Sequence, residues 1–118
     1  MSTEKLYNLD FVYEISKGNV DFVRSLCDVY ISNTPPIVND ISTALAAEDW
    51  DAIGKLAHKL KSTIDTMGLA SIKEDIRFLE LSAKNKVNLE QLPDAINKVR
   101  TIVLTSVEQL KEELTTLK

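Results

Sequence analysis

The segment WDAIGKLAHKLKSTIDTM, residues 50–67, carries the clearest helical pattern in this chain. A helix turns about 100° per residue, so residues three and four apart share a face. The apolar side chains within about 60° of the direction of Leu60 are Ile53, Leu56, Ala57, Leu60, Ile64 and Met67. Asp49 suits the N-cap, and Gly68 suits the left-handed residue that ends a helix. The segment therefore predicts an amphipathic helix with one buried face.

The same spacing recurs along almost all of the 118 residues. Only three glycines and three prolines interrupt it, and no alternating pattern of strand length is present. These features predict an all-α protein. Long amphipathic helices with short connections favour an antiparallel four-helix bundle. We expect a single domain over residues 1–118, with a short additional helix at the N-terminus.

Caps and breakers predict the bounds of the first two helices. The first is expected over residues 9–17, opened by Asn8 and closed by Gly18. In the second, Thr34 and Pro35 predict either a kink or a restart, and the pattern does not distinguish the two. The stripe expected to face the core there is Phe22, Val23, Leu26, Val29 and Tyr30.

The last two helices follow from similar signals. Ser71 and Glu74 have the spacing of a capping box, and a final helix is expected from near Asn88 or Pro93 to the C-terminus. The apolar positions assigned to the fourth segment are Ile76, Leu79 and Leu81. Those assigned to the final helix are Ile96, Val99, Val103, Leu110, Leu114 and Leu117.

Composition excludes several classes of function. The net charge is -4 and basic residues do not cluster, which argues against nucleic acid as a partner. No apolar run is long enough to span a membrane, and the N-terminus lacks the pattern of a signal peptide. The single cysteine, Cys27, fits a reducing compartment and a buried position. We expect a cytoplasmic protein.

The lone histidine, His58, lies at about 160° from Leu60 on the helical wheel and is expected to point into solvent. The residues expected around it are Asp51, Gly54, Lys55, Lys61, Ser62 and Asp65. Gly54 and Ser62 lie one turn before and one turn after the ring, and their small size leaves it accessible to a partner. Lys61 places an ammonium group where it could offset the charge of a phosphoryl group on the ring.

The segment AHKLKSTIDTMGL, residues 57–69, resembles the signature of histidine phosphotransfer (HPt) domains. Two further segments, EISKGNVDFVRSL and NTPPIVNDISTAL, resemble the part of such domains that precedes the histidine helix. The resemblance covers about residues 6–81. It implies that His58 accepts the phosphoryl group, that Lys61 stabilises it, that Ser62 fills a position often taken by glycine and that Gly68 ends the helix.

The resemblance also implies a mechanism. A ring nitrogen of His58 attacks the aspartyl phosphate of a response-regulator receiver domain and later passes the group to another receiver. The partners would be receiver domains and a hybrid sensor histidine kinase. The receiver would supply Mg²⁺ and most of the stabilisation of charge in the transition state. The chain would therefore be a relay intermediate rather than an enzyme, with no cofactor and no metal site of its own.

The surface that a receiver would cover is predicted around the histidine. The residues assigned to it are Gly54, Lys55, Lys59, Ser62 and Asp65, with Arg77 as a further candidate. Asp51 and Asp65 are interpreted as solvated surface acids rather than metal ligands.

Two alternatives from other classes remain at this point. The dimerisation helix of a sensor kinase typically carries an acidic residue after its histidine, whereas Lys59 follows His58 here. A non-catalytic helical adaptor, or an inert HPt-like bundle, would use the last helix as an oligomerisation seam. We expect a monomer. The initiating Met close to the first helix favours a stand-alone protein, and the donor, the acceptor and the signal are not encoded in recognisable form.

Overall fold

A computed structural model of the protein describes residues 5–116, so the predicted stripe position Leu117 lies outside the described residues. Five α-helices and two 3-10 turns make up this part of the chain. The helices are α1 (Asp10–Ser16), α2 (Val20–Ala46), α3 (Trp50–Thr66), α4 (Lys73–Asn85) and α5 (Leu92–Thr116). The turns Ala70–Ile72 and Leu89–Gln91 precede α4 and α5. The all-α prediction is confirmed, and no strand occurs in residues 5–116.

Helices α2 to α5 form the predicted bundle. Helix α2 packs against α3 and α5, α4 packs against α3 and α5, and the short α1 packs on α2. The core contains the predicted residues of α3, with Ile53, Ala57 and Leu60 fully buried. Removing this apolar surface from water is the main stabilising contribution to such a fold.

The buried Cys27 belongs to this core. It is fully buried in α2, and burial raises the pKa of its thiol to about 11, with a smaller contribution from the nearby Glu113 carboxylate. A thiol held protonated in this way is a poor nucleophile. Cys27 therefore acts as a core residue.

The second helix differs from its prediction in two ways. It runs without a break through Pro35 and Pro36, so of the two alternatives left open at Thr34 the restart does not occur. Phe22 and Val29, placed in the core stripe, are 44% and 54% exposed. The reason is that Val23, Cys27 and Tyr30 already fill the side of the helix that faces the bundle.

Helix α4 also begins differently from its prediction. The expected capping box is absent: α4 starts after the 3-10 turn, and no side chain caps its N-terminus. Leu81, assigned to the core, is 59% exposed, whereas Ile76, Leu79 and Ala83 are buried. Leu81 lies about 200° around the helix from Leu79, on the side away from the buried residues.

The segment before α1 makes hydrogen bonds near the C-terminal ends of both α3 and α5. The backbone N–H of Asn8 donates to the carbonyl of Met67 at 2.9 Å, just after α3. The backbone N–H of Leu6 donates to Oε1 of Gln109 in α5 at 3.0 Å, and the hydroxyl of Tyr7 bonds to the carboxylate of Glu113. We call residues 5–9 the N-terminal strap.

Gly68 ends α3 as predicted and also lies against this strap. Its φ of +65° is in the left-handed region, which glycine adopts without a steric penalty. A Cβ at this position would lie 2.7 Å from both the Cβ and the carbonyl oxygen of Asn8. Position 68 therefore requires glycine for two separate reasons.

Candidate functional site

His58 lies in the middle of α3 on the side away from the core. Its side chain is 70% exposed, whereas Ala57 before it and Leu60 after it are fully buried. Burial of the apolar face fixes the rotation of the helix about its axis. The prediction that His58 points into solvent is confirmed.

A carboxylate of α4 holds the imidazole ring. Oε2 of Glu80 lies 2.5 Å from Nδ1 of His58, and Oε1 of Glu80 accepts a hydrogen bond from Nζ of Lys61 at 2.8 Å. An ionised carboxylate can only accept, so Nδ1 must carry the proton. In a neutral ring the lone pair is then on Nε2, which has no partner within residues 5–116. The contact selects one tautomer and one nucleophilic atom.

The same contacts keep Glu80 ionised. The hydrogen bond from Lys61 lowers the pKa of Glu80, partial burial opposes this change, and the bond to His58 lowers the pKa further. A lowered folded-state pKa stabilises the protein above the ordinary value of about 4.5, and the stabilisation is lost as the pH falls through the lowered pKa. The His58–Glu80–Lys61 cluster is therefore intact at neutral pH.

Glu80 was missed by the reasoning from sequence. It lies 22 residues from His58 in the chain, and no local motif joins them. Its position on the polar side of α4 could be read from the helical pattern. Its contact with His58 could not be read from the pattern, because that contact depends on how far α3 and α4 are shifted along each other.

Gly54 does not occupy the open surface that the helical wheel suggested. A Cβ there would lie 3.7 Å from the backbone nitrogen of Lys84, 3.8 Å from the Cβ of Ala83 and 3.9 Å from the carbonyl oxygen of Glu80. Gly54, expected among the residues around the solvent-facing ring, is instead partly buried because α4 runs beside it. Its predicted contact with a partner stays a prediction.

Replacing Gly54 by alanine is expected to stabilise the protein. All three distances are those of ordinary van der Waals contact, and alanine favours a helix interior over glycine by about 0.5–1 kcal/mol. The free energy of unfolding of Gly54→Ala, measured in urea, should rise by that amount. A loss of stability would show that α4 cannot accommodate the methyl group.

The remaining predicted residues divide between the two sides of His58. Toward α4, Asp65 pairs with Arg77, whose Nη2 lies 2.8 Å from Oδ2 of Asp65. Toward α2, Lys59 and Ser62 line a shallow apolar groove. Lys55 is exposed on the same side as Ser62, by the geometry of the helix. The structure thus brings Lys61 alone among the predicted residues into the cluster with His58.

The groove beside Lys59 and Ser62 is formed by α2 and the second half of α3. Its apolar lining comes from α2, mainly Leu26, Val29 and Ile37. Val29 is 54% exposed within this groove, and Phe22, seven residues earlier on the same side of α2, is 44% exposed. Within residues 5–116, no group of three acidic, histidine or cysteine side chains could hold a metal ion.

The profile of one protein family matches the chain. The Hpt domain profile matches residues 25–118, which is most of the sequence. The chain belongs to the Hpt domain family. Hpt domains are helical bundles that act as histidine phosphotransfer intermediates in phosphorelays, and the resemblance to them is confirmed.

The family profile and the resemblance found in the sequence, which covered about residues 6–81, match different stretches of the chain. It includes the last helix, but begins inside α2 and leaves the strap and α1 of this Hpt domain outside. Comparisons with curated proteins and with solved structures gave no significant match. Among the described residues, no helix is both long and apolar enough to cross a bilayer.

Proposed function

We propose that this Hpt domain relays a phosphoryl group between receiver-domain aspartates through Nε2 of His58. The observation that carries the proposal is the contact between Nδ1 and Glu80, which leaves an exposed ring with its free lone pair on Nε2. This arrangement places a nucleophilic nitrogen in solvent, where the phosphoryl group of a partner can reach it.

The proposed step is an in-line displacement. The Nε2 lone pair attacks the phosphorus of an aspartyl phosphate, a P–N bond forms, and the P–O bond to the aspartate breaks with its electrons leaving on the carboxylate. The ring gains positive charge in this step and keeps its proton on Nδ1. The carboxylate of Glu80 stabilises that charge through its short hydrogen bond. Acceptance of the group by a second receiver reverses these changes.

The receiver is proposed to supply the rest of the machinery, including Mg²⁺, and to cover the α2 side of His58. The apolar groove is continuous with this side because Lys59 and Ser62 line both. The exposed Val29 inside the groove and the exposed Phe22 on the same helix add apolar area that a receiver could contact. Interfaces commonly combine such an apolar area with a polar rim. Lys55 and Lys59 are proposed as that rim, and Asp65 borders it on the α4 side.

The proposal is tested by mixing the protein with a receiver domain carrying labelled phosphate and Mg²⁺. Label should move to the Hpt domain in an acid-labile, alkali-stable form, and peptide mapping should place it on His58. Label that stays on the receiver, with several different receivers tried, would contradict the proposal.

Glu80 is expected to act as a positioning residue for this step. Glu80→Ala removes a charge-assisted hydrogen bond, and such bonds contribute a factor of about 10–100 in an equilibrium or a rate. The rate of transfer should fall by about tenfold, and ¹⁵N NMR of the imidazole should show both tautomers instead of one. Glu112→Ala, on an exposed position of α5, is the matched control. A variant with the native tautomer and the native rate would remove Glu80 from the mechanism.

The chain is further proposed to act as a cytoplasmic monomer. The single buried cysteine fits a reducing compartment. The apolar face of α5 that could serve as an oligomerisation seam is instead used inside the bundle. Sedimentation equilibrium at the mass of one chain, 13.2 kDa, would support this proposal and exclude the oligomeric adaptor.

A further inference from the structure

The contact between His58 and Glu80 bears on the release of a phosphoryl group as well as on its acceptance. With the group on Nε2, the P–N bond can break in two ways, according to the state of Nδ1. If Nδ1 carries a proton, the electrons of that bond are left on a neutral imidazole. If Nδ1 has lost its proton, they must be left on an imidazolate anion, which is a far poorer leaving group. The group can therefore leave readily only while Nδ1 is protonated.

Glu80 is placed to keep that proton on the ring. Its Oε2 lies 2.5 Å from Nδ1, and its side chain is only 18% exposed. The hydrogen bond from Lys61 lowers the pKa of Glu80, so the carboxylate is charged at neutral pH. A negative charge at this distance favours the protonated form of the ring. The contact uses Nδ1 alone, so a phosphoryl group on Nε2 does not replace it.

No other charged side chain in residues 5–116 contacts the ring, since Glu80 is the one hydrogen-bond or ion-pair partner of His58 there. The residues of α2 that line the neighbouring groove are uncharged. Lys61 opposes Glu80 most directly, because it shares the carboxylate. The remaining charged residues near the ring are Asp51, Lys55, Lys59 and Asp65 on α3, and Arg77 and Lys84 on α4. Glu80 is therefore the group with the largest influence on the Nδ1 proton.

We propose that Glu80 holds the Nδ1 proton of phosphorylated His58 and so sets the upper pH limit at which the domain passes the group on. The inference rests on the proposed function of His58 and concerns release rather than acceptance. In release, the P–N bond breaks, its electron pair returns to Nε2, phosphorus bonds to an oxygen of the acceptor, and the proton stays on Nδ1. Glu80 acts through the ring as a positioning residue. Loss of the group to water follows the same course, so the lifetime of the phosphohistidine reports on the same proton.

The test uses the full chain without any receiver. Phosphoramidate transfers its phosphoryl group to the histidine with loss of ammonia, and ³¹P NMR then measures the rate of loss to water at each pH. The rate should fall with rising pH, with a midpoint where Nδ1 loses its proton. Glu80→Gln keeps an oxygen that can accept from Nδ1 but removes the charge, so its midpoint should lie about one pH unit lower. Above both midpoints, this variant should lose the group about tenfold more slowly than the native protein.

Glu112→Gln, at an exposed position of α5, is the matched control and should keep the native midpoint. Lys61→Gln removes the cation that shares the carboxylate and should move the midpoint upward. A midpoint in Glu80→Gln equal to that of Glu112→Gln would overturn the inference, as would a phosphoryl group that ¹⁵N NMR places on Nδ1. A shifted midpoint without any transfer between receivers and His58 would instead contradict the proposed relay and retain the role of Glu80 in holding the proton.

Discussion

His58→Gln is expected to accept no phosphoryl group from a phosphorylated receiver. An amide has no lone pair of comparable nucleophilicity to an imidazole nitrogen, so labelling should fall to background, a loss of about a thousandfold or more. The side chain is 70% exposed and glutamine is a good helix former, so the fold should be retained. Labelling after a fixed time with phosphorylated receiver and Mg²⁺ measures the effect.

Thermal unfolding separates a chemical effect from a structural one. The variant should unfold within a few degrees of the native protein, because only the surface contact with Glu80 is changed. Lys111→Gln, at an exposed position of α5, should label like the native protein. Normal labelling of the histidine variant would mean that another residue carries the group and would end the proposed role of His58.

Gly68→Ala is expected to be among the most destabilising single substitutions. An alanine there must adopt a φ of +65° and place its Cβ 2.7 Å from two backbone-anchored atoms of Asn8. The left-handed conformation costs about 1–2 kcal/mol, and overpacking against atoms that cannot rotate away costs about 1–3 kcal/mol more. The free energy of unfolding in urea should therefore fall by about 2–5 kcal/mol.

Gly18→Ala provides a matched control for this experiment. Gly18 also has a positive φ, +78°, but a Cβ there meets no atom within 4 Å. It should lose only the conformational part, about 1–2 kcal/mol. The difference between the two variants isolates the contact of Gly68 with the strap. Equal losses would show that the strap moves aside at no cost.

The overall fold could be predicted because the helical pattern is local. Helix α3 needs only the spacing of its apolar residues, the Asp49 cap and Gly68, and all three appear in the structure as expected. The wrong predictions of burial arose where two different sets of apolar residues on one helix could have faced the core. Phe22 and Val29 have helical spacing with Val23, but which apolar residues face the bundle depends on neighbouring helices. The sequence of one helix does not contain that information.

The site was only half predictable for the same reason. His58 and Lys61 are three residues apart on one helix, so geometry places them together. Glu80 joins them from α4 through the packing of two helices, and no spacing within the sequence predicts that packing. The capping box at Ser71 failed differently: its spacing is correct, but a 3-10 turn takes the place of the expected first turn.

The N-terminal strap bears on where this domain should be cut for study. The family match begins at residue 25, inside α2, whereas Tyr7, Leu9 and Val12 are all buried against the bundle. A fragment trimmed to the matched residues would lose the first turn of α2 and uncover apolar surface that the strap and α1 protect. The residues that match the family profile are thus fewer than the residues that fold together as one unit. A fragment made for expression should include the strap and α1.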